Sequence, residues 1–257
     1  MNYFIEGLQG SGKSTLMKKL SAKYPDHRAV YEGDYSPVEL AWCAWVSRDK
    51  FREILDKYQA IRQDIEAESH AEEDGMVICY TKVRTDIPGF YQDLEQYEIY
   101  NGRMDFEEWK GVILSRFGKW TGGRNIFECS LFQNIVEDMI LFRNASDREI
   151  FDFYREIRSA LREKDYRILY LKTDDIAASI DAVRKERTDE QGEEQWYRML
   201  CGYFDASPFA VKHGVSGPGA LLEHLKHRQE LELKICAGLF PDRVAVLRSR
   251  EYREDEI

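Results

Sequence analysis

Long apolar runs are what this chain most lacks. The longest, such as Ala41 to Val46, cover only a few residues, against the ~18 that a bilayer-spanning helix needs. Positive charge is also in deficit: 37 Lys and Arg face 47 Asp and Glu, a formal net charge of -10. That balance opposes non-specific attraction to phosphodiester backbones and anionic membrane surfaces. The six prolines are spread along the chain, and no Gly/Ser/Pro linker, internal repeat or low-complexity tract divides it. The five cysteines, Cys43, Cys79, Cys129, Cys201 and Cys236, form no C-x-x-C pair, which excludes the usual zinc and dithiol patterns. They read as reduced and mostly packed. His224 and His227 share a predicted helix face and the other histidines are scattered, so they read as solvated or capping groups rather than metal ligands. The N-terminal stretch meets Glu6 and a glycine-rich turn before any signal-peptide core can form. A cytoplasmic location is the expectation.

What is present is a mixed α/β pattern with ample core material, 43% hydrophobic and 13% aromatic. Asn2 to Glu6 is a short apolar run, then come glycines, then Leu16, Met17, Leu20 and Tyr24 at helical spacing, which predicts strand, turn, helix. Ala29 to Tyr31 reads as a second strand. Ser36-Pro37-Val38-Glu39 has the form of a capping box and predicts a helix from Pro37. A helical period runs from Phe51 to Ile65, and Met76 to Thr81 is a strand candidate. Ile126 and Phe127 read as a strand entering Glu128, with helices after Leu131 and after the capping box at Ser146. Arg167 to Leu171 and Arg243 to Leu247 read as strands, with helices at Ile176 to Val183, Trp196 to Phe204 and Leu221 to Cys236. Strands separated by helices imply a mainly parallel sheet, whose ligands bind beyond the carboxyl ends of the strands.

Gly7-Leu8-Gln9-Gly10-Ser11-Gly12-Lys13-Ser14, followed by Thr15, fits G-x-x-x-x-G-K-[ST] in full. Average composition yields that pattern in roughly one chain in a hundred of this length, and here it follows a strand and opens a helix, as its mechanism requires. Glycines at Gly7, Gly10 and Gly12 let the backbone wrap a phosphate, and the amides around Ser11 with the helix N-terminus supply positive partial charge. Lys13 reaches the outer phosphates, and Ser14 offers a hydroxyl to a magnesium ion.

With these residues the chain resembles the P-loop kinases of the nucleoside and nucleotide kinase group, which includes thymidylate kinases and deoxynucleoside kinases. The resemblance is specific at Gly7 to Thr15 and patterned elsewhere. It implies an α/β P-loop NTPase three-layer sandwich with 184–194 as a lid; the chain reads as a single domain over residues 1–257, and its residues between 84 and 123, which the resemblance does not cover, as an inserted, helical, aromatic-rich acceptor-side region. The resemblance further implies ATP- and magnesium-dependent phosphoryl transfer to a hydroxyl of a small molecule, with a nucleoside favoured and an aminoglycoside-like antibiotic as the other acceptor class. Nucleic acid and membrane are not expected partners; a homodimer is compatible with the sequence and not derivable from it.

Further site residues are carried over on the same resemblance. Glu32-Gly33-Asp34 stands near the place of the carboxylate that receives the acceptor's proton, with Asp34 preferred to Glu32 and a plain Asx-type turn as the competing explanation. Tyr35, Trp42 and Trp45 could shape an acceptor pocket, although helical aromatics at that spacing are more often core. Glu128-Cys129-Ser130 resembles the Glu-Arg-Ser of deoxynucleoside kinases, with Cys129 in place of the Arg. Glu128 is read as orienting magnesium or its water shell, or as binding the acceptor, or else as a cap on the helix near Leu131. Arg184 and Arg187 share a helix face and with Lys185 and Gly192 fit a closing lid; a solvated helix end fits as well. A nucleotide-dependent switch or binding ATPase is the alternative class, since Lys172-Thr173-Asp174 nearly matches a guanine-reading motif.

Overall fold

The computed structural model describes residues 1–189 and 191–252. In chain order its elements are β1 (Asn2–Gly7), α1 (Lys13–Lys23), β2 (Arg28–Val30), β3 (Ala44–Val46), α2 (Arg48–Lys57), α3 (Arg62–Ala67), β4 (Ser69–Glu72), β5 (Gly75–Ile78), α4 (Phe90–Glu95), α5 (Phe106–Lys119), β6 (Asn125–Glu128), α6 (Gln133–Glu137), α7 (Asp147–Ala160), β7 (Tyr166–Lys172), α8 (Ile176–Glu186), α9 (Gln195–Asp205), α10 (Pro208–His213), α11 (Gly217–Leu239) and β8 (Val244–Arg248). Two compact units divide the chain: Met1–Ala29 with Thr121–Ile257, and Val30–Trp120. The stretch 84–123, expected as an insertion, thus lies almost wholly in a larger unit that begins at Val30.

The first unit is built on a five-stranded, mostly parallel sheet in the order β2-β6-β1-β7-β8. Central β1 runs parallel to β6, with Ile5 opposite Glu128, and to β7, with Gly7 opposite Leu171. Every residue of β1 is buried, as expected of a parallel strand covered on both faces. Phe4 stacks on Phe127 with ring centroids 5.1 Å apart and meets the edge of Tyr166 at 5.8 Å. The capping box at Ser146 forms as read: Ser146 accepts from the Glu149 N–H and the Glu149 carboxylate accepts from the Ser146 N–H. Where the chain leaves and re-enters this unit, the Arg28 N–H donates to the Arg124 carbonyl at 2.7 Å. Among the described residues no helix is long and apolar enough to cross a membrane.

The second unit carries a three-stranded antiparallel sheet, β3-β5-β4. Its buried side chains, among them Val46, Ile54, Leu55, Ile65, Ile78, Phe90 and Leu94, form a core of its own. Three expectations are corrected here. No helix begins at Pro37: Ser36 Oγ does accept from the Val38 and Glu39 N–H groups, at 3.3 and 3.2 Å, but the Glu39 carboxylate turns forward to the Ala41 N–H at 2.7 Å and the box never closes. The following run, Leu40 to Val46, offers no polar helix face, and Ala44–Val46 is β3. Trp45 is therefore a strand residue and Trp42 sits in a turn, neither of them helical. The strand near Met76 ends at Ile78 and pairs antiparallel with β3 and β4 instead of joining the parallel sheet.

Candidate functional site

The loop from Gly7 to Gly12 leaves the carboxyl end of β1 and enters α1. Gly7, Gly10 and Gly12 have φ of 138°, 79° and 93°, a region that costs a residue with a side chain ~1–2 kcal/mol. Space is closed as well: a Cβ on Gly7 would stand 2.6 Å from the Leu171 carbonyl oxygen, and one on Gly10 would strike the Val183 side chain. Glycine is thus required by backbone and by neighbours. Among the described residues, the N–H groups of Gly12, Lys13 and Ser14 have no acceptor within the protein, as befits the first turn of a helix.

Lys13 is buried, and its Nζ donates to the carbonyls of Gly7 (2.9 Å) and Leu8 (2.8 Å) and to Gln133 Oε1 (3.0 Å). Three neutral oxygens solvate this charge without cancelling it. Ser14 Oγ donates to Glu128 Oε1 at 2.7 Å, so Glu128, at the end of β6, is not the cap of the next helix. Glu6 fills that role: its carboxylate accepts from the N–H groups of Leu131 (2.7 Å), Phe132 (3.2 Å) and Gln133 (3.4 Å). Burial pushes the Glu6 carboxyl up to about 8, against the pull of the Leu131 N–H. A carboxylate in an otherwise apolar strand, immediately before a glycine loop, is the sequence signal that marked Glu6.

Other elements support the loop from outside. Ser179 Oγ of α8 donates to the Gly10 carbonyl at 3.4 Å. After β8, Ser249 Oγ donates to the Ser11 carbonyl at 2.8 Å and the Arg250 guanidinium to the Gly10 carbonyl at 3.0 Å. These contacts fix the carbonyls of the loop. Cys129 is buried, with φ of 57°.

A charged cluster buried beside the loop escaped the sequence reading. Helix α11 places His224, Arg228 and Glu232 at four-residue spacing on one buried face, and that spacing of polar residues between leucines was the available signal. Arg228 is fully buried; it donates to Glu137 Oε2 (2.8 Å) and to Gln9 Oε1 of the loop (3.0 Å), and faces Glu232 at 3.2 Å. His224 Nε2–H donates to the same Glu137 oxygen at 3.0 Å, and the Tyr170 hydroxyl to Glu232 at 2.6 Å. His224 is therefore neither solvated nor a cap, contrary to expectation. Burial alone would raise Glu137, but the charges of Arg228 and His224 prevail and hold it at about 2, whereas for Glu232 burial wins and its carboxyl is raised.

Of the two arginines expected in a lid, Arg184 pairs with Glu194 at 2.6 Å and lies over Tyr197, while Arg187 lies over Trp196, the last at 4.9 Å from the ring centroid. Asp189 ties the connecting turn by accepting from the N–H groups of Gln191 and Glu193; Glu190 lies outside the described residues. Lys172 and Arg248 both engage Asp174.

Glu32 and Asp34 belong to the second unit. Asp34 closes a turn, accepting from the Tyr31 N–H at 2.8 Å, and its carboxylate forms an ion pair with Lys82. Gly33, at φ of 84°, passes close to Thr81, where a Cβ would meet the hydroxyl at 3.2 Å. Cys43, Cys79 and Cys236 are buried and Cys201 half-buried; all five cysteines are free thiols.

No family model matches the chain, and no curated protein matches it. Among solved structures, that of the YGR205w protein is similar at a TM-score of 0.32 and 12% identity, over 97% of this chain and 86% of that one. So slight a likeness carries no argument, and the functional reading rests on the residues themselves.

Proposed function

We propose that the protein is a P-loop phosphotransferase that moves the terminal phosphoryl group of ATP to a hydroxyl of a small neutral or cationic molecule, a nucleoside in the first place. The observation that carries this reading is the loop between β1 and α1: unsatisfied N–H groups, an uncancelled Lys13 charge and a Ser14 hydroxyl set against Glu128. Each is suited to a phosphate chain with its magnesium ion. Such ions take few protein ligands and complete their shell with phosphate oxygens and water, which two oxygen-bearing side chains match. Ser14 and Glu128 would hold the ion, and when bound it neutralises charge on the phosphate oxygens.

The loop amides bind and orient the phosphates, and Lys13 exchanges its carbonyl partners for phosphate oxygens. Arg184 and Arg187 supply further cations in the lid role. The part of proton acceptor is given to Asp34 or Glu32 on the family resemblance alone. A nucleoside monophosphate suits the chain less well, because Cys129 replaces the family's Arg and the acceptor-side candidates are acidic.

The test is ADP release by the purified protein with MgATP against a library of nucleosides, aminoglycosides and nucleoside monophosphates, with Lys13→Ala alongside. The expectation is turnover with one of the first two classes, cut by about 10²–10³-fold in the variant. Turnover confined to monophosphates would overturn the acceptor assignment. Nucleotide-dependent capture of a macromolecule, with no small acceptor, would instead favour the switch reading.

A further inference from the structure

A buried ionic cluster is a poor way to stabilise a fold, because replacing such charges with packed hydrophobic side chains is often neutral or favourable. The cluster around Arg228 therefore calls for another explanation, and its geometry offers one. Its five residues, Arg228, Glu137, Glu232, Tyr170 and His224, bond to one another inside the unit, and Nη2 of Arg228 reaches Gln9 of the glycine loop.

Arginine can only donate. The atom of Gln9 that faces Arg228 at 3.0 Å is thereby settled as the amide oxygen, and the amide nitrogen is turned away from the cluster. Among the described residues that nitrogen has no acceptor, and Gln9 is half-exposed. Two N–H donors are thus offered by the same loop whose backbone N–H groups are unsatisfied. Glu137 on α6 accepts from the guanidinium directly, and Tyr170 on β7 holds Glu232, which faces it at 3.2 Å, so the guanidinium is fixed before any ligand arrives.

We infer that the Gln9 side-chain amide is a phosphate-binding donor of this site, with Arg228 as the positioning residue that fixes which end of the amide the loop presents. The inference rests on the nucleotide reading above. It adds a side-chain donor to those of the backbone and Lys13. Two parallel consequences follow. Removing the Gln9 donors weakens binding of the polyphosphate, and removing Arg228 lets the amide turn over, so that part of the same effect appears without any change to Gln9.

The experiment measures MgATP and adenosine affinity by calorimetry on the full chain carrying Gln9→Leu, Arg228→Lys, Arg228→Met and the Gln9→Leu/Arg228→Met double substitution, with unfolding temperatures recorded for each. A hydrogen bond to a charged group is worth ~1.5–3 kcal/mol, or about 10- to 100-fold in affinity. Gln9→Leu is expected to weaken MgATP by about tenfold at the low end of that range and leave adenosine unchanged. Arg228→Lys keeps the charge beside Glu137 but loses the forked geometry; it is expected to weaken MgATP severalfold with little loss of stability, and it serves if Arg228→Met does not fold. The double variant is expected to bind MgATP no more weakly than Gln9→Leu. MgATP binding untouched by Gln9→Leu overturns the inference while leaving the nucleotide reading intact. Effects of the two sites that multiply, or a lower unfolding temperature for Arg228→Lys with unchanged affinity, overturn the positioning role. Failure of the wild-type chain to bind MgATP at all overturns the nucleotide reading itself.

Discussion

Glu6 is where two strong effects oppose each other, so its replacement by Gln is informative. Its carboxylate accepts three helix N-terminal N–H groups, which favour the charge, yet it is fully buried, which disfavours it. With burial dominant the carboxyl stands at about 8 in place of 4.5. The folded state then holds a proton that the unfolded chain has released, so stability is greatest below the unfolded value and declines as pH rises toward 8. At about 1.4 kcal/mol per unit, the penalty approaches ~5 kcal/mol, of which roughly 3 to 4 develops between pH 5 and 8. Glu6→Gln carries no such penalty. It keeps an oxygen for the Leu131 N–H but sets an NH₂ group against those of Phe132 and Gln133, at a cost of about 1–3 kcal/mol. Urea unfolding followed by circular dichroism should thus find the variant less stable than wild type near pH 5 and more stable near pH 8. Glu39, whose burial raises it to about 7, adds the same slope to both proteins and cancels in the comparison. A constant difference across the range would refute the reasoning and show that the helix N-terminus keeps Glu6 ionised throughout.

Glycine substitutions should differ in sign: Gly7→Ala puts a Cβ against the Leu171 carbonyl of the paired strand and should destabilise by ~1–3 kcal/mol or more, whereas Gly111→Ala, inside α5 with open space around it, should stabilise by ~0.5–1 kcal/mol. Thermal unfolding of both variants decides this. Asp34→Asn should lower turnover by about 10²–10⁴-fold with little change in ATP affinity; full activity there with a dead Glu32→Gln would transfer the role to Glu32, and two active variants would end it. Replacing Arg184 and Arg187 together should slow turnover and weaken ATP retention, since their present partners, Glu194 and the rings of Tyr197 and Trp196, must yield on closure. Unchanged kinetics, and unchanged proteolysis of the 184–194 turn on adding an ATP analogue, would leave them as surface charge.

The strand, glycine turn and helix from Asn2 to Lys23 were legible because that pattern is local. The capping box at Ser146 was legible for the same reason. A box of equal form at Ser36 failed, because the apolar run behind it could be buried as a strand and not as an amphipathic helix. Glu128 pairs with Ser14, over a hundred positions away, so the fact that Glu6 and not Glu128 caps the helix near Leu131 could not be read from the sequence. Arg228 and Gln9 are farther apart still. Such pairings arise from sheet order, which no local pattern encodes.

The adjacency of Arg28 and Arg124 bears on the order in which the molecule is made. On the ribosome β1 and the glycine loop emerge ahead of the middle segment, but the strands that flank β1, β6 and β7, come only after the whole of Val30–Trp120 has been synthesised. The middle segment, with a core of its own, can condense while the first twenty-nine residues still wait for a sheet. A loop held between its neighbouring strands should therefore come late in synthesis, and a nascent chain stalled before Tyr166 should hold a folded second unit and no ordered loop. The same adjacency bears on removing the middle segment: a linker joining Val30 to Thr121, both within a few residues of that contact, would keep β2 whole and leave the parallel sheet able to close, at the loss of Glu32 and Asp34.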